Sequence, residues 1–296
     1  MIKVKVPASS ANIGPGFDSI GMALNLYNIF SFEEIDRGLE IIGSLEDKKA
    51  KDHLVYSSMV KVFERVGYFP KGIKIKIEAS IPISRGLGSS ASCILAGVIG
   101  ANKMAGSPLT QEEIFKIATE IEGHPDNIAP ALFGGFVSSL MEGEKIYYNK
   151  IDISKGLKFI AIIPDFTLST RRAREVLPRV ISHREAVENV SRLALLISAL
   201  SNGRFDLLRP ALKDKLHQPY RGELIEGFTA LMDKIYDLGA LGGYLSGAGP
   251  TIMAMIKEED FGFIKEIKAY LESISLGWDV KELEMDLEGA QIVEKP

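Results

Sequence analysis

Residues 73–79, Ile-Lys-Ile-Lys-Ile-Glu-Ala, alternate apolar and polar side chains, the period of a strand with one buried face. The N-terminal Met1-Ile2-Lys3-Val4-Lys5-Val6 alternates in the same way, and Phe159-Ile160-Ala161-Ile162-Ile163 reads as a buried strand. Helical spacing is clearest in Leu54, Val55, Met59, Val62, Phe63 and Val66, and again in Ile114, Phe115, Ile117, Ala118 and Ile121. Cys93 to Ile99 reads as an apolar helix. Further helices are expected over residues 182–201, 222–238 and 260–273, and strands over 133–140, 251–256 and 278–284. The polar stretch Glu142-Gly143-Glu144-Lys145 ends the first half. Strands and helices interleave, but hairpin-like neighbours also occur. The pattern predicts an α+β protein with mainly antiparallel sheets, divided near residue 155 into parts 1–155 and 156–296.

Composition narrows the class. A chain of 296 residues suits one large domain or two of ordinary size. With 46% hydrophobic and 25% charged residues it reads as globular. A net charge of -4 argues against nucleic acid as the main partner. No apolar run is long enough for a transmembrane helix, and the first residues lack the apolar block of a signal peptide. The expectation is a cytoplasmic protein without a membrane partner. Cys93, the single cysteine, fits a reducing compartment and reads as a small buried helix residue rather than a nucleophile. The four histidines and one cysteine offer no zinc spacing, and His183 reads as a surface residue.

The candidate chemistry centres on Pro82-Ile83-Ser84-Arg85-Gly86-Leu87-Gly88-Ser89-Ser90-Ala91-Ser92, where a strand hands over to a helix N-terminus. Free backbone N–H groups and the helix dipole favour an anion at such a point. Gly86 and Gly88 allow a tight bend and a close approach to phosphate. Ser89 and Ser90 can cap the helix, bond a phosphate oxygen or ligate magnesium. A glycine pair alone would be an ordinary capped turn; the serines and the preceding strand turn the reading towards phosphate. Neither Gly-x-Gly-x-x-Gly nor a Gly-Lys-Ser/Thr ending is present.

Other polar clusters stand along the chain. In Pro7-Ala8-Ser9-Ser10-Ala11-Asn12-Ile13-Gly14-Pro15-Gly16-Phe17-Asp18, Asn12 and Asp18 can hold donors such as an ammonium, or simply stabilise turns. In Glu120-Ile121-Glu122-Gly123-His124-Pro125-Asp126-Asn127, a carboxylate can complete a magnesium site with Ser90, while His124, Asp126 and Asn127 can face a polar substrate. The same eight residues also suit a solvated helix terminus. Ser169-Thr170-Arg171-Arg172-Ala173-Arg174 and His217-Gln218-Pro219-Tyr220-Arg221 carry arginines, which bind carboxylate or phosphate in a fork or lie on a solvated face. Ser246-Gly247-Ala248-Gly249-Pro250-Thr251 is a second glycine turn.

Together these segments resemble the GHMP kinases, a family of small-molecule kinases, over nearly the whole chain. All three family motifs occur in order, at residues 7–18, 82–92 and 243–251. Within the family, residues 9–18, 122–127, 169–174 and 217–221 are similar to the branch that phosphorylates homoserine. The resemblance implies two α+β domains, an N-terminal ATP-binding one and a ferredoxin-like C-terminal one. It implies ATP-dependent phosphorylation of the homoserine side-chain hydroxyl, a step towards threonine. By the same resemblance Ser90 and Glu122 bind magnesium, and residues 82–92 bind ATP. Asn12, Asp18, His124, Asp126, Arg174 and Arg221 surround the substrate, and Asn127, Thr170 and Arg174 serve the reacting centre. Relatives often carry Asn where this chain has His53, so contacts to the adenine stay open there. A homodimer also stays open.

The substrate class can be argued from chemistry alone. Homoserine is a zwitterion with an alcohol at its far end; two arginines suit its carboxylate, and Asp18 suits its ammonium. That fits an amino acid better than a sugar. Mevalonate would need the cations but nothing for an ammonium, which makes a mevalonate kinase the nearest enzymatic alternative. A ligand sensor that has lost turnover is the non-enzymatic one.

Overall fold

The first sheet is built on two long strands, β1 (Ile2–Ala11) and β2 (Ile20–Glu34), in a computed structural model that describes residues 1–43 and 53–293. They pair antiparallel, with Val4 opposite Phe30. β3 (Gly38–Ile42) follows, then α1 (Leu54–Val66) and β4 (Gly72–Glu78). β4 runs antiparallel to β2, and β3 lies parallel to β4 at the sheet edge. Three helices come next: α2 (Ser89–Met104), α3 (Gln111–Glu122) and α4 (Ile128–Phe133). β5 (Phe136–Glu142) then pairs with the start of β2, and β6 (Lys145–Ile151) with β5.

α1 to α4 cover one face of this sheet. Val4, Phe30 and Ile75 from the strands pack there with Met59, Leu95 and Ala118 from the helices. Two glycines of α2 permit this closeness: a Cβ at Gly97 would collide with Val55 O, and one at Gly100 would press on the Phe32 ring at 2.6 Å. A register shift between Pro7 and Ala8 changes what β1 presents. Val4 and Val6 belong to the helix-side core, whereas beyond the shift Ala8 joins the core between the two sheets and Ser9 meets the start of α2.

The second sheet holds β7 (Leu157–Ile163), β8 (Gly242–Leu245), β9 (Ile252–Lys257) and β10 (Asp279–Leu283) in the order β10-β7-β9-β8, antiparallel throughout. This is a ferredoxin-like order. The first crossover is long and contains α5 (Thr170–Glu175), α6 (His183–Asn202), α7 (Leu208–Ala211), α8 (Gln218–Gly222) and α9 (Phe228–Asp237). α10 (Phe263–Ser273) forms the second. Phe159, Ala161, Met253 and Met255 face α6, α7 and the first sheet; Ile160, Ile162 and Ala254 face α9 and α10. Burial on both faces explains the unbroken apolar runs in β7 and β9. The chain then returns, and β11 (Gln291–Ile292) pairs with β1.

The α+β, mainly antiparallel expectation holds, with β3–β4 the parallel exception. Some elements differ from the sequence reading. β3, β6 and the short helix α4 were not expected, and the strand expected over 133–140 begins only at Phe136, because Phe133 closes α4. The helix expected over 222–238 is shorter: α8 ends at Gly222, residues 223–227 form turns, and α9 starts only after Gly227, whose φ is 74°. Cys93 is half-buried against the helix-side core rather than fully enclosed. His183 is exposed, as expected. Among the described residues no helix is long and apolar enough to cross a membrane.

Candidate active site

The clusters read from the sequence meet in one cleft of about 270 Å³ between the two sheets. Its walls include Asn12, Asp18, Ser84 to Gly86, Gly88 to Ser90, Glu122, His124, Asp126, Asn127, Thr170, Arg174, Arg221 and Gly247. Ile83 lines it too, while Pro82 stands at the loop's entry outside the wall. Leu87, Ala91 and Ser92 turn their side chains into the interior. Of these three, only backbone can face a ligand.

The glycine loop is gripped from two sides. Ser9 N–H donates to Leu87 O at 3.2 Å, and Thr251 N–H to Arg85 O at 3.2 Å. Ser246 Oγ donates to Gly86 O at 2.6 Å, so Ser10 must donate to Ser246, and Tyr244 OH to Ser10. Gly86 and Gly88 have φ 78° and 71°. A Cβ at Gly86 would strike Ser246 O, and one at Gly88 would strike Ser9 Oγ. Gly88 is the N-cap of α2 and offers no side chain to its first N–H groups. The first turn, Ser89 to Ala91, is therefore left to a ligand, and the dipole favours an anionic one. Arg85 does not reach across: its guanidinium bonds the carbonyls of Ile83, Pro164 and Asp165.

Ser90 Oγ donates to Glu122 Oε2 at 2.8 Å, beside that helix N-terminus. Burial pushes the Glu122 carboxyl above its ordinary value, and the Ser90 bond and the nearby His124 charge offset this only in part. A hydroxyl and a half-buried carboxylate suit a small, hard cation that takes its remaining ligands from phosphate and water. The donor set therefore fits magnesium.

The other end of the cleft is zwitterionic. Arg174 forms a fork on Asp18, at 3.0 and 2.9 Å. The sequence reading gave these two residues separate tasks; the structure pairs them. His124 Nδ1 bonds Asp126 Oδ1 at 2.5 Å. Burial would lower the His124 imidazole, but the bond and charge of Asp126, with Glu122 and Asp18 nearby, hold it above its usual value. One ligand atom each of Asp18, His124 and Asp126 lies within 4.8 Å of the others. Arg221, 1% exposed, donates to the carbonyls of Ala173 and Gly247 at 3.0 and 2.9 Å. Burial and the Arg174 charge push its guanidinium down to about 10, which leaves it cationic at neutral pH. Asn12 is spent on architecture: its amide donates to Gly247 O and accepts from Asp18 N–H. Asn127 Oδ1 accepts from Ser9 Oγ at 2.9 Å. Thr170 opens α5 behind the Ser169 cap.

Several contributors were given no role of their own from the sequence. Phe17 stacks on His217 and lies under Arg174 and Arg221. Asp214 accepts from the N–H groups of Leu216, His217 and Gln218 and so fixes the start of α8. His217 Nε2 lies 2.8 Å from Gly14 O and must donate to it; Nδ1 then accepts from Arg221. An aspartate three residues before His217 was the available signal, but nothing in the spacing tied it to the loop at residue 14. His53 is buried and its Nδ1 accepts from Val55 N–H at the start of α1, a capping role.

Comparison with known proteins gives the family. The model of the GHMP kinases N terminal domain matches residues 53–135, and that of the GHMP kinases C terminal region matches residues 196–270. A homoserine kinase of Clostridium botulinum (strain ATCC 19397 / Type A) is 50% identical over 292 residues, covering 99% of this chain and 98% of that protein. One of Clostridium beijerinckii is 51% identical over 295 residues, covering 99% of each. The crystal structure of homoserine kinase from Cytophaga hutchinsonii superposes with a TM-score of 0.89 at 29% identity, over 99% of this chain and 97% of that one. With both family regions matched in order and half of all residues shared along the full length, the chain belongs to the GHMP kinases, in their homoserine kinase branch.

Proposed function

We propose that this enzyme transfers the γ-phosphoryl group of ATP to the side-chain hydroxyl of L-homoserine, giving O-phospho-L-homoserine and ADP. The observation that carries the reading is the composition of one cleft. An open helix N-terminus and a serine–glutamate pair stand at one end; two arginines and two aspartates stand at the other. The first end suits a magnesium triphosphate, the second an amino acid. Arg221 is a buried cation held by carbonyls and an imidazole, so a substrate carboxylate is its natural counter-charge. Asp18 and Asp126 suit the ammonium, with the Arg174–Asp18 fork opening or sharing its oxygens as substrate binds.

Ser90 and Glu122 would hold magnesium, which when bound neutralises and aligns the triphosphate oxygens. The chain's own part is positioning. The α2 N-terminus holds the phosphates, and the arginines and aspartates hold the amino-acid head. The hydroxyl oxygen forms a bond to the γ-phosphorus while the bond to the bridging oxygen breaks, and that electron pair leaves with ADP. Asp126 is engaged by His124, and Asn127 is an amide that accepts no proton at neutral pH. The hydroxyl proton therefore passes to the transferring phosphoryl group, without a protein base.

Measurement of ADP release with homoserine, mevalonate and threonine as acceptors tests the reading. Turnover with homoserine far above the others supports it. Mevalonate turnover, or homoserine binding without ADP release, refutes it.

A further inference from the structure

Asn127 is the N-cap residue of α4, a position where an asparagine side chain usually accepts a bond from the helix's own first turn. Here it makes no such cap. Its Oδ1 is instead turned to Ser9 Oγ, 118 residues earlier in the chain. Ser9 has no exposed surface and stands outside the cleft wall, whereas Asn127 is part of that wall. The oxygen of the amide is thus spent away from the cleft, and Nδ2, a pure donor, is the half left for substrate. Ser9 also holds the phosphate loop, through its N–H on Leu87 O and through the close packing of Gly88 on its hydroxyl. The register shift before Ala8 brings Ser9 to this side of β1.

We propose that Ser9 is a positioning residue: it locks the Asn127 amide against the phosphate loop and so sets the separation between the substrate hydroxyl and the γ-phosphate. The proposal rests on the reading that Asn127 meets that hydroxyl. A donor there occupies one lone pair of the hydroxyl oxygen. The second lone pair is left to attack phosphorus, and the O–H proton is free to move to the phosphoryl group. Without the Ser9 hydroxyl the amide loses its anchor, and rotations that carry Nδ2 away from the hydroxyl oxygen, or turn Oδ1 to it, become open.

A double-mutant cycle of Ser9→Ala and Asn127→Ala, with kcat and both KM values, tests this. Ser9→Ala should lower kcat about tenfold, the scale of one lost hydrogen bond, and leave the KM values for ATP and homoserine within about twofold. Combined with Asn127→Ala it should add no further loss. If Ser9→Ala does not fold, Ser9→Cys, similar in size and a weak donor, takes its place in the cycle. Losses that multiply, or a raised KM for ATP at unchanged kcat, overturn the proposal while leaving the role of Asn127 intact. An Asn127→Ala enzyme working at full rate overturns that role and the proposal together.

Discussion

An arginine with 1% of its surface exposed, its guanidinium held by two carbonyl oxygens and one imidazole, is costly to fold around. The cost is offset when an anion arrives. Arg221→Ala should therefore raise the KM for homoserine, by about 2 to 4 kcal/mol of binding, and move the KM for ATP little; weakened ATP binding with homoserine unaffected would give this arginine to the nucleotide. Its neighbour His217 carries a pH signature. Burial lowers its imidazole below the usual 6.5, with Asp214 opposing and Arg221 reinforcing. Below about pH 6.5 the unfolded chain takes up a proton that the folded chain refuses, so stability falls as pH drops towards the lowered folded value; above 6.5 the group contributes nothing. His124 runs the other way: its contribution is full below 6.5 and fades as pH rises through its raised value. Between about pH 7 and 5, the melting temperature of the native chain should fall more steeply than that of His217→Gln; parallel curves would contradict a neutral buried His217. At this scale the sequence picked out residues that the structure brings to one cleft, but not who touches whom. Arg174 and Asp18 are 156 positions apart, and no spacing rule brings them together.

Among the elements, the turn from β4 into α2 is the one on which the site depends most. Its glycines are fixed by what surrounds them, with Ser246 O against Gly86 and Ser9 Oγ against Gly88. Gly88→Ala meets both a left-handed backbone, costing about 1–2 kcal/mol, and that collision. It should raise the KM for ATP and lower kcat together; a variant with native kinetics and native stability would show that the loop has room it is here denied. This element was legible because alternation, glycines and serines coincide within twenty residues. The elements that escaped lack a period. β6 is an edge strand, largely exposed, so Lys-Ile-Tyr-Tyr-Asn-Lys-Ile has no inward set to betray it. α4 is buried on every side over six residues, which erases the helical stripe. β3 is five residues at the sheet edge, recognisable only through its partner β4.

At the scale of the whole molecule, each sheet supplies half of the site. Asn12, Asp18, the glycine loop and Glu122 to Asn127 come with the first sheet; Thr170, Arg174, Arg221 and the turn at 246–249 come with the second. The two halves are pinned where they meet, by Asn12 on Gly247 O, Ser246 on Gly86 O and Arg174 on Asp18. The order of motifs along the chain carried the family, because each motif labels one wall of the cleft. The closure of those walls depends on contacts over 150 residues or more in sequence, such as Asn12 with Gly247, which local patterns do not encode. The central claim is direct phosphoryl transfer to a homoserine hydroxyl that is oriented but not deprotonated by the protein. Rapid-quench measurement of a single turnover, with γ-labelled ATP at saturating homoserine, tests it in the native enzyme and in Asp126→Asn. The account predicts label on the homoserine side-chain oxygen, one for one with ADP, and a transfer rate in Asp126→Asn within about tenfold of native, its weakness showing in homoserine affinity instead. Label released as free phosphate by the native enzyme, or a rate in Asp126→Asn lower by several orders of magnitude with homoserine still bound, would contradict it.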